Sequence, residues 1–178
     1  MDFDKLTEVM RKLSLEAGDI IMGIYNSDDF DVRSKSDDSP VTAADEAADA
    51  HISAGLRAAF PDVALVTEEQ AESHSVTANT FLIVDPLDGT KEFIHRRGDF
   101  TVNIAYVHDG VPLRGVVYAP AKGRLFYTNA TGDSVEEVGE LDKNTVGPTV
   151  PISVSAPDKT GLIVVASKSH RHQATDCL

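Results

Sequence analysis

The spacing of apolar residues changes once along this chain, from a helical period to short strand-like runs, and this change indicates the fold class. Apolar side chains recur every three or four residues from about Phe3 to Tyr25, which predicts an amphipathic helix. A second helix is predicted to begin after Thr42, a good N-cap residue, and to end before Pro61. Two helices followed by many strands are typical of an α+β fold.

After Pro61 the chain has the pattern of consecutive strands. Three of them, at 101–107, 115–119 and 125–128, are separated by short turns that contain glycine, which predicts an antiparallel meander. The almost wholly apolar run at 80–84 predicts a strand buried on both faces. The other expected elements are strands at 64–67, 152–155 and 162–166, a loop or frayed hairpin at 32–40, and a hairpin with a loop at 130–150.

The net negative charge of the chain disfavours some classes of binding partner. The 178 residues include 16 Lys and Arg against 29 Asp and Glu, a net charge of −13, which disfavours binding to a nucleic acid polymer. The single cysteine, Cys177, cannot form an internal disulfide, which fits a reducing cytoplasm. Neither a signal peptide nor an apolar run of about 20 residues is visible, so we expect a soluble, cytoplasmic protein without a transmembrane segment.

Three carboxylates are expected to meet where two neighbouring strands end. Glu68 closes one predicted strand, Asp85 closes the next, and Asp88 follows in the same loop. Carboxylates gathered in one place repel each other, and a hard cation such as Mg²⁺ relieves that repulsion. The amides from Gly89 onward are expected at a helix N-terminus, where anions bind. These features together predict metal-assisted transfer of a phosphoryl group to water.

Each of these features also has a structural explanation. Asp88-Gly89 alone is typical of a turn, and the pair Glu68-Glu69 alone is typical of a charged strand edge. The complete string is far more specific, because an apolar strand runs directly into Asp-Pro-Leu-Asp-Gly-Thr at 85–90.

This string, with the Glu68-Glu69 pair upstream, resembles the signature of the inositol monophosphatase superfamily of Mg²⁺-dependent, lithium-sensitive phosphatases. The Leu between the two aspartates and the Lys-Glu-Phe at 91–93 are more similar to the CysQ-type 3′(2′),5′-bisphosphate nucleotidases than to inositol monophosphatases proper. Segments 35–45, 100–105 and 167–170 carry the same likeness.

The resemblance implies a fold and an activity. The fold is a layered α/β sandwich of the sugar-phosphatase type, with two N-terminal helices packed on a largely antiparallel sheet. The activity is a phosphatase with two or more Mg²⁺ ions per site, which removes the 3′-phosphate of 3′-phosphoadenosine 5′-phosphate and recycles a nucleotide of sulfate assimilation. An inositol or other sugar-phosphate phosphatase is the alternative. The implied partner is a small phosphorylated nucleotide, and a homodimer and peripheral contact with the inner membrane stay open.

The resemblance also assigns roles to residues. Metal ligands are Glu68, Asp85, Asp88 and the Leu87 backbone carbonyl. Water activation falls to Glu68, Thr90 and Asp45, with Thr90 hydrogen-bonded to Asp45. Substrate contacts are Glu68, Leu87, Asp88, Gly89, Thr90 and His170.

Several of these residues have simpler explanations that the sequence leaves open. Asp45 also fits a helix first turn, and Thr90 fits a helix cap. Lys35 could approach the phosphate, but an exposed loop lysine is the more economical explanation. His170 could equally be a surface histidine.

Two observations lead us to expect that the chain corresponds to the N-terminal part of such an enzyme. Family members carry a later Trp-Asp-Xaa-Ala segment whose aspartate binds metal and substrate, and this sequence contains no Trp. A buried strand at 162–166 would need neighbours on both edges. We therefore expect an N-terminal α+β domain with the metal site at 1–150, and at 151–178 the start of a truncated C-terminal α/β domain with an incomplete second sheet. An inactive cation-binding module is the remaining alternative.

Overall fold

The chain up to residue 59 is mainly helical, as its apolar period predicts. A computed structural model describes residues 1–27, 32–34, 40–75 and 77–156. Helix α1 spans Phe3–Tyr25, and strands β1 (Val32–Ser34) and β2 (Pro40–Thr42) form an antiparallel pair. Helix α2 spans Ala43–Ala59. It begins with a capping box, because the side chains of Thr42 and Asp45 each accept a hydrogen bond from the other residue's backbone N–H.

From residue 64 onward, the described part of the chain forms a seven-stranded sheet. Its strands follow in sequence order: β3 (Ala64–Thr67), β4 (Thr80–Asp88), β5 (Thr101–His108), β6 (Val111–Ala119), β7 (Arg124–Thr128), β8 (Ser134–Glu137) and β9 (Thr149–Pro151). The β3–β4 pair is parallel, and every other pair is antiparallel. The predicted meander is therefore confirmed, and it continues on both sides of the three strands expected to form it.

Short helices fill three of the connections. Helix α3 spans Thr90–Ile94, and 3₁₀ helices span Ala71–Ser75 and Pro120–Lys122. The second 3₁₀ helix occupies the turn that was predicted between the strands at 115–119 and 125–128. Gly123 ends it with φ 60°, a left-handed conformation that suits glycine.

Two strand predictions are wrong. The strand at 80–84 is not buried on both faces, because Leu82 and Val84 are 1% exposed whereas Ile83 between them is 42% exposed. The predicted strand at 152–155 does not form; among the described residues the last strand is β9, and the N–H of residue 152 donates to Ser134 O at 2.9 Å. The predicted strand at 162–166 lies outside the described residues.

The core lies between the two long helices and one face of the sheet. Met10 and Ile21 of α1 and Ile52 of α2 are fully buried, and they belong to the same apolar cluster as Leu82 and Ile104 of the sheet. The expected α+β architecture, with helices packed on a largely antiparallel sheet, is confirmed.

The predicted division into two domains stays a prediction. The boundary after residue 150 falls inside β9, and most of 151–178 lies outside the described residues. Among the helices that the structure describes, none combines the length and the apolar character that crossing a membrane requires.

Candidate metal and phosphate site

The ends of two parallel strands bring Glu68 and Asp85 together. Because β3 and β4 run in the same direction, their carboxyl ends lie at one edge of the sheet. The N–H of Glu68 donates to Val84 O at 3.1 Å, which continues the ladder one residue beyond β3. Glu68 therefore lies beside Asp85, and their side chains share a hydrogen bond. The register of a parallel pair thus produces the carboxylate pair that the sequence predicts.

The carboxyl group of Asp85 is in a poor environment for a negative charge. Burial, then the charges of Glu68 and Asp88, raise its pKa to about 8, and the hydrogen bond with Glu68 adds to the rise. Its Oδ1 is buried and finds no hydrogen-bond partner among the described residues. A buried acceptor with no donor is costly, so this oxygen calls for a proton or a cation.

A bulge in β4 turns Asp88 toward the same site. Asp85 pairs with Asn103 and Asp88 pairs with Thr101, so three steps along β4 face only two along β5. Asp88 is exposed, and its Oδ2 accepts a hydrogen bond from the Nδ2 of Asn103 at 3.2 Å. We did not predict Asn103 as a site residue. A polar side chain inside an otherwise apolar strand is the signal that could have identified it.

Thr90 and Asp45 are in contact. The Thr90 hydroxyl donates to Asp45 Oδ1 at 3.0 Å and also lies 3.2 Å from the carbonyl oxygen of Leu87. The other oxygen of Asp45 accepts the Thr42 N–H at 2.8 Å and the Thr42 hydroxyl at 2.5 Å. Burial raises the pKa of Asp45, although hydrogen bonds from Thr42 and Thr90 partly offset that effect. Asp45 is therefore both a capping residue of α2 and a partner of Thr90.

Gly89 allows the chain to turn sharply between the carboxylates and α3. Its φ is +97°, and a Cβ there would lie 2.8 Å from Asp99 O. Helix α3 begins at Thr90 as expected, but it has only five residues, too few for a helix dipole of useful size. Phe93 anchors it, since its ring lies 5.2 Å from that of Tyr25 and 5.3 Å from that of Phe100.

The donors at this edge of the sheet fit a hard divalent cation. Carboxylate oxygens and a backbone carbonyl are the ligands that Mg²⁺ prefers, and the unpartnered Oδ1 of Asp85 supplies a buried acceptor. In the described part of the chain, no group of three or more His, Cys, Asp and Glu side chains is arranged to hold a metal ion. The three carboxylates thus interact without forming a closed ligand set. Lys35 and His170 lie outside the described residues.

Comparison with known proteins gives consistent results. Residues 2–177 match the model of the inositol monophosphatase family. The 3′(2′),5′-bisphosphate nucleotidase CysQ of Escherichia coli strain K12 is 43% identical over 162 residues, which cover 89% of this chain and 62% of that protein. The protein of the same name from Salmonella typhimurium strain LT2 is 40% identical over 168 residues, which cover 93% of this chain and 64% of that protein.

A solved structure agrees with these relatives. The crystal structure of CysQ from Bacteroides thetaiotaomicron, described as a bacterial member of the inositol monophosphatase family, superposes with a TM-score of 0.77 at 32% identity. The match covers 98% of this chain and 67% of that one. The chain therefore spans a little under two thirds of the length of the curated relatives that it matches.

Proposed function

The chain belongs to the inositol monophosphatase family, and on this premise we propose that it carries the cation-binding and water-activating residues of a 3′(2′),5′-bisphosphate nucleotidase. The reaction would be Mg²⁺-dependent removal of the 3′-phosphate from 3′-phosphoadenosine 5′-phosphate. The observation that carries this proposal is the environment of Asp85, a buried carboxyl with an unpartnered oxygen and two carboxylate neighbours. The similarity to proteins named as bisphosphate nucleotidases supports the choice of substrate.

Four groups would hold the cations: the side chains of Glu68, Asp85 and Asp88 and the Leu87 carbonyl. Bound divalent cations would lower the pKa of a water molecule and stabilise charge on the phosphate oxygens. The pKa of Asp85 is raised in the absence of cations. Its carboxyl would ionise when cations bind, because a nearby positive charge favours the charged form of a carboxyl.

Thr90 and Asp45 would handle the proton of the attacking water. A threonine hydroxyl is a weak base, but one that donates to a buried carboxylate keeps its oxygen free to accept from water. Glu68 would orient the same water from the end of β3. In the reaction, a bond forms between the water oxygen and phosphorus, and the bond from phosphorus to the 3′-oxygen breaks. The leaving oxygen takes up a proton, which gives AMP and inorganic phosphate.

The proposed cellular role is recycling of the nucleotide that sulfate assimilation leaves behind. The cation site alone would serve other phosphate esters, because the same catalytic groups can act on unrelated leaving groups. Inositol 1-phosphate is therefore the competing substrate that a test has to include.

The test is a phosphate-release assay on the purified protein with Mg²⁺, using 3′-phosphoadenosine 5′-phosphate and inositol 1-phosphate in parallel. We expect a higher kcat/KM for the nucleotide and loss of activity with Asp85→Asn. The matched control is Asp62→Asn, an exposed aspartate in the turn before β3. Preference for inositol 1-phosphate would overturn the substrate. Undiminished activity of Asp85→Asn would overturn the site, and failure to release phosphate from either ester would overturn the enzymatic function of this chain.

A further inference from the structure

A row of polar side chains runs along the face of α2 that lies next to the site. Its members recur at every fourth position, and they are Asp45, Asp49, Ser53 and Arg57. Side chains four residues apart lie on the same face of a helix. The first three are only 1%, 4% and 1% exposed, so the row is mostly buried. Asp45 contacts Thr90, as described above, and the other three contact a single residue, Gln70.

The side chain of Gln70 engages both its amide nitrogen and its amide oxygen in these contacts. Its Nε2 donates to Asp49 Oδ2 at 2.6 Å and to Ser53 Oγ at 3.1 Å. Its Oε1 accepts from an Arg57 NH2 group at 2.7 Å. An amide group offers two donor hydrogens and one carbonyl oxygen, so three partners on one helix hold it in a single orientation.

The backbone on both sides of Glu68 is held as well. The Ser73 hydroxyl lies 2.6 Å from Gln70 O and 3.0 Å from Thr67 N. The His74 ring nitrogen Nε2 lies 2.8 Å from Thr67 O. The two-residue turn at 68–69 is therefore fixed at the residue before it and at the residue after it.

We propose that Gln70 is a positioning residue that orients Glu68 for cation binding by anchoring its turn to the buried polar row of α2. The inference rests on the proposed function, because it takes Glu68 as a cation ligand. It adds that helix α2 positions two parts of the site. Asp45, at the start of the row, contacts Thr90, and the residues farther along the row hold Gln70. Groups that orient a metal ligand typically change metal affinity by about ten- to a hundredfold when removed.

The test measures Mg²⁺ affinity by calorimetry on the full chain, with no need for turnover. We expect Gln70→Ala and Asp49→Ala each to weaken binding by about tenfold. The double variant should bind about as weakly as either single variant, because both changes break the same contact and their effects do not add. Glu72→Ala is the matched control, since this exposed residue follows in the same segment; it should bind Mg²⁺ like the parent.

A reciprocal exchange separates positioning from general stability. The double variant Asp49→Asn with Gln70→Glu keeps one donor and one acceptor in contact, because the amide is now at position 49 and the carboxylate at position 70. The carboxylate at position 70 can also pair with Arg57. This exchange should restore Mg²⁺ affinity to within about twofold of the parent, whereas Gln70→Glu alone should not, because two carboxylates would then face each other. The midpoint of thermal unfolding, recorded for every variant, shows whether affinity and stability change together.

The outcomes distinguish this inference from the proposed function. Parent-like Mg²⁺ affinity of Gln70→Ala, or a lower unfolding temperature with unchanged affinity, would overturn the positioning role. A chain that binds Mg²⁺ with the expected pattern of variants but fails to hydrolyse the nucleotide would overturn the proposed function alone. A parent chain that binds no Mg²⁺ would overturn both.

Discussion

At the scale of single residues, Asp85 links the stability of the protein to its proposed cation site. The folded chain holds a proton on this carboxyl up to a pKa of about 8, mainly because of burial and of its two carboxylate neighbours. An unfolded chain releases the same proton near pH 4. Between these two pH values the folded state binds more protons than the unfolded state, so stability falls as the pH rises.

The first prediction concerns this pH dependence. In EDTA, the free energy of unfolding of the parent, relative to that of Asp85→Asn, should fall as the pH rises from about 4 to about 8. Urea unfolding followed by circular dichroism at a series of pH values measures the difference. Mg²⁺ added at pH 8 should stabilise the parent, because a ligand that binds only the folded state raises its stability. An identical pH profile for parent and variant would show that Asp85 does not hold this proton.

The second prediction separates water activation from cation binding. Thr90→Val removes the hydroxyl that contacts Asp45 but leaves the carboxylates in place. We expect kcat on 3′-phosphoadenosine 5′-phosphate to fall by about a hundredfold or more, as when a group that handles a proton is lost. Mg²⁺ affinity should stay that of the parent. Thr90→Ser is the control, because it retains the hydroxyl; loss of Mg²⁺ binding in Thr90→Val would contradict this division of roles.

Residues of the site could be predicted from the sequence to different extents. The carboxylates follow from strand ends and from their local string, because strand register alone brings Glu68 beside Asp85. The contact between Thr90 and Asp45 joins residues 45 positions apart, so only the family resemblance indicated it. Gln70 and Asn103 act through hydrogen bonds between separate elements. A polar residue in an apolar strand is a local signal for Asn103, but no local pattern encodes the three contacts of Gln70.

At the scale of elements, a buried ion pair connects α1 to β8, near the edge of the sheet that is opposite to β3. The Arg11 guanidinium donates twice to Glu137 of β8, at 2.6 Å in each contact, and the two side chains are 3% and 0% exposed. Burial would raise the pKa of Glu137, but hydrogen bonds from Arg11 and from the Gly147 amide outweigh it and lower the pKa. Arg11 also reaches the backbone carbonyls of Asp142 and Thr145, so the pair holds the loop between β8 and β9.

The third prediction tests this attachment. Glu137→Gln should lower the free energy of unfolding by about 3–5 kcal/mol, because it leaves a buried guanidinium without its counter-charge. Urea denaturation at pH 7 measures the loss. Glu136→Gln is the matched control one residue away, and it should change stability little, since its pair with Arg124 is exposed to solvent. Equal losses of stability in the two variants would show that the buried Arg11–Glu137 pair contributes no more to stability than the exposed Arg124–Glu136 pair.

The helices were easier to predict from the sequence than the strands. Both long helices were predicted almost to the residue, because a 3.6-residue apolar period and the Thr42 cap mark them locally. The edge strand β9 was expected only as part of a hairpin at 130–150, without bounds of its own, because its residues are all exposed and no alternation marks it. The strand at 80–84 was assigned two buried faces, since its composition cannot show that helices cover only one.

At the scale of the whole molecule, the sheet has one face packed against helices and one apolar face that is partly open. Residues opposite each other in neighbouring antiparallel strands share a face, and two residues apart along one strand do so as well. Ile83 pairs with Ala105, and Val117 pairs with Asn103, so Ile83 and Val117 lie on the same face. They are 42% and 43% exposed, on the opposite side from the buried Leu82 and Val84.

The fourth prediction follows from the balance between this face and the net charge. Exposed apolar patches favour association, whereas a net charge of −13 repels a second copy, and salt weakens only the repulsion. Sedimentation velocity should therefore show more dimer at about 0.5 M NaCl, where screening acts over only a few Å, than at low salt. Val117→Lys should reduce the dimer fraction. Val111→Lys is the control, because it makes the same change of charge at the first residue of β6, beside the hairpin turn, where the side chain is 54% exposed. This variant should reduce the dimer fraction less. Equal effects of the two variants would mean that charge, and not burial of the sheet face, controls association.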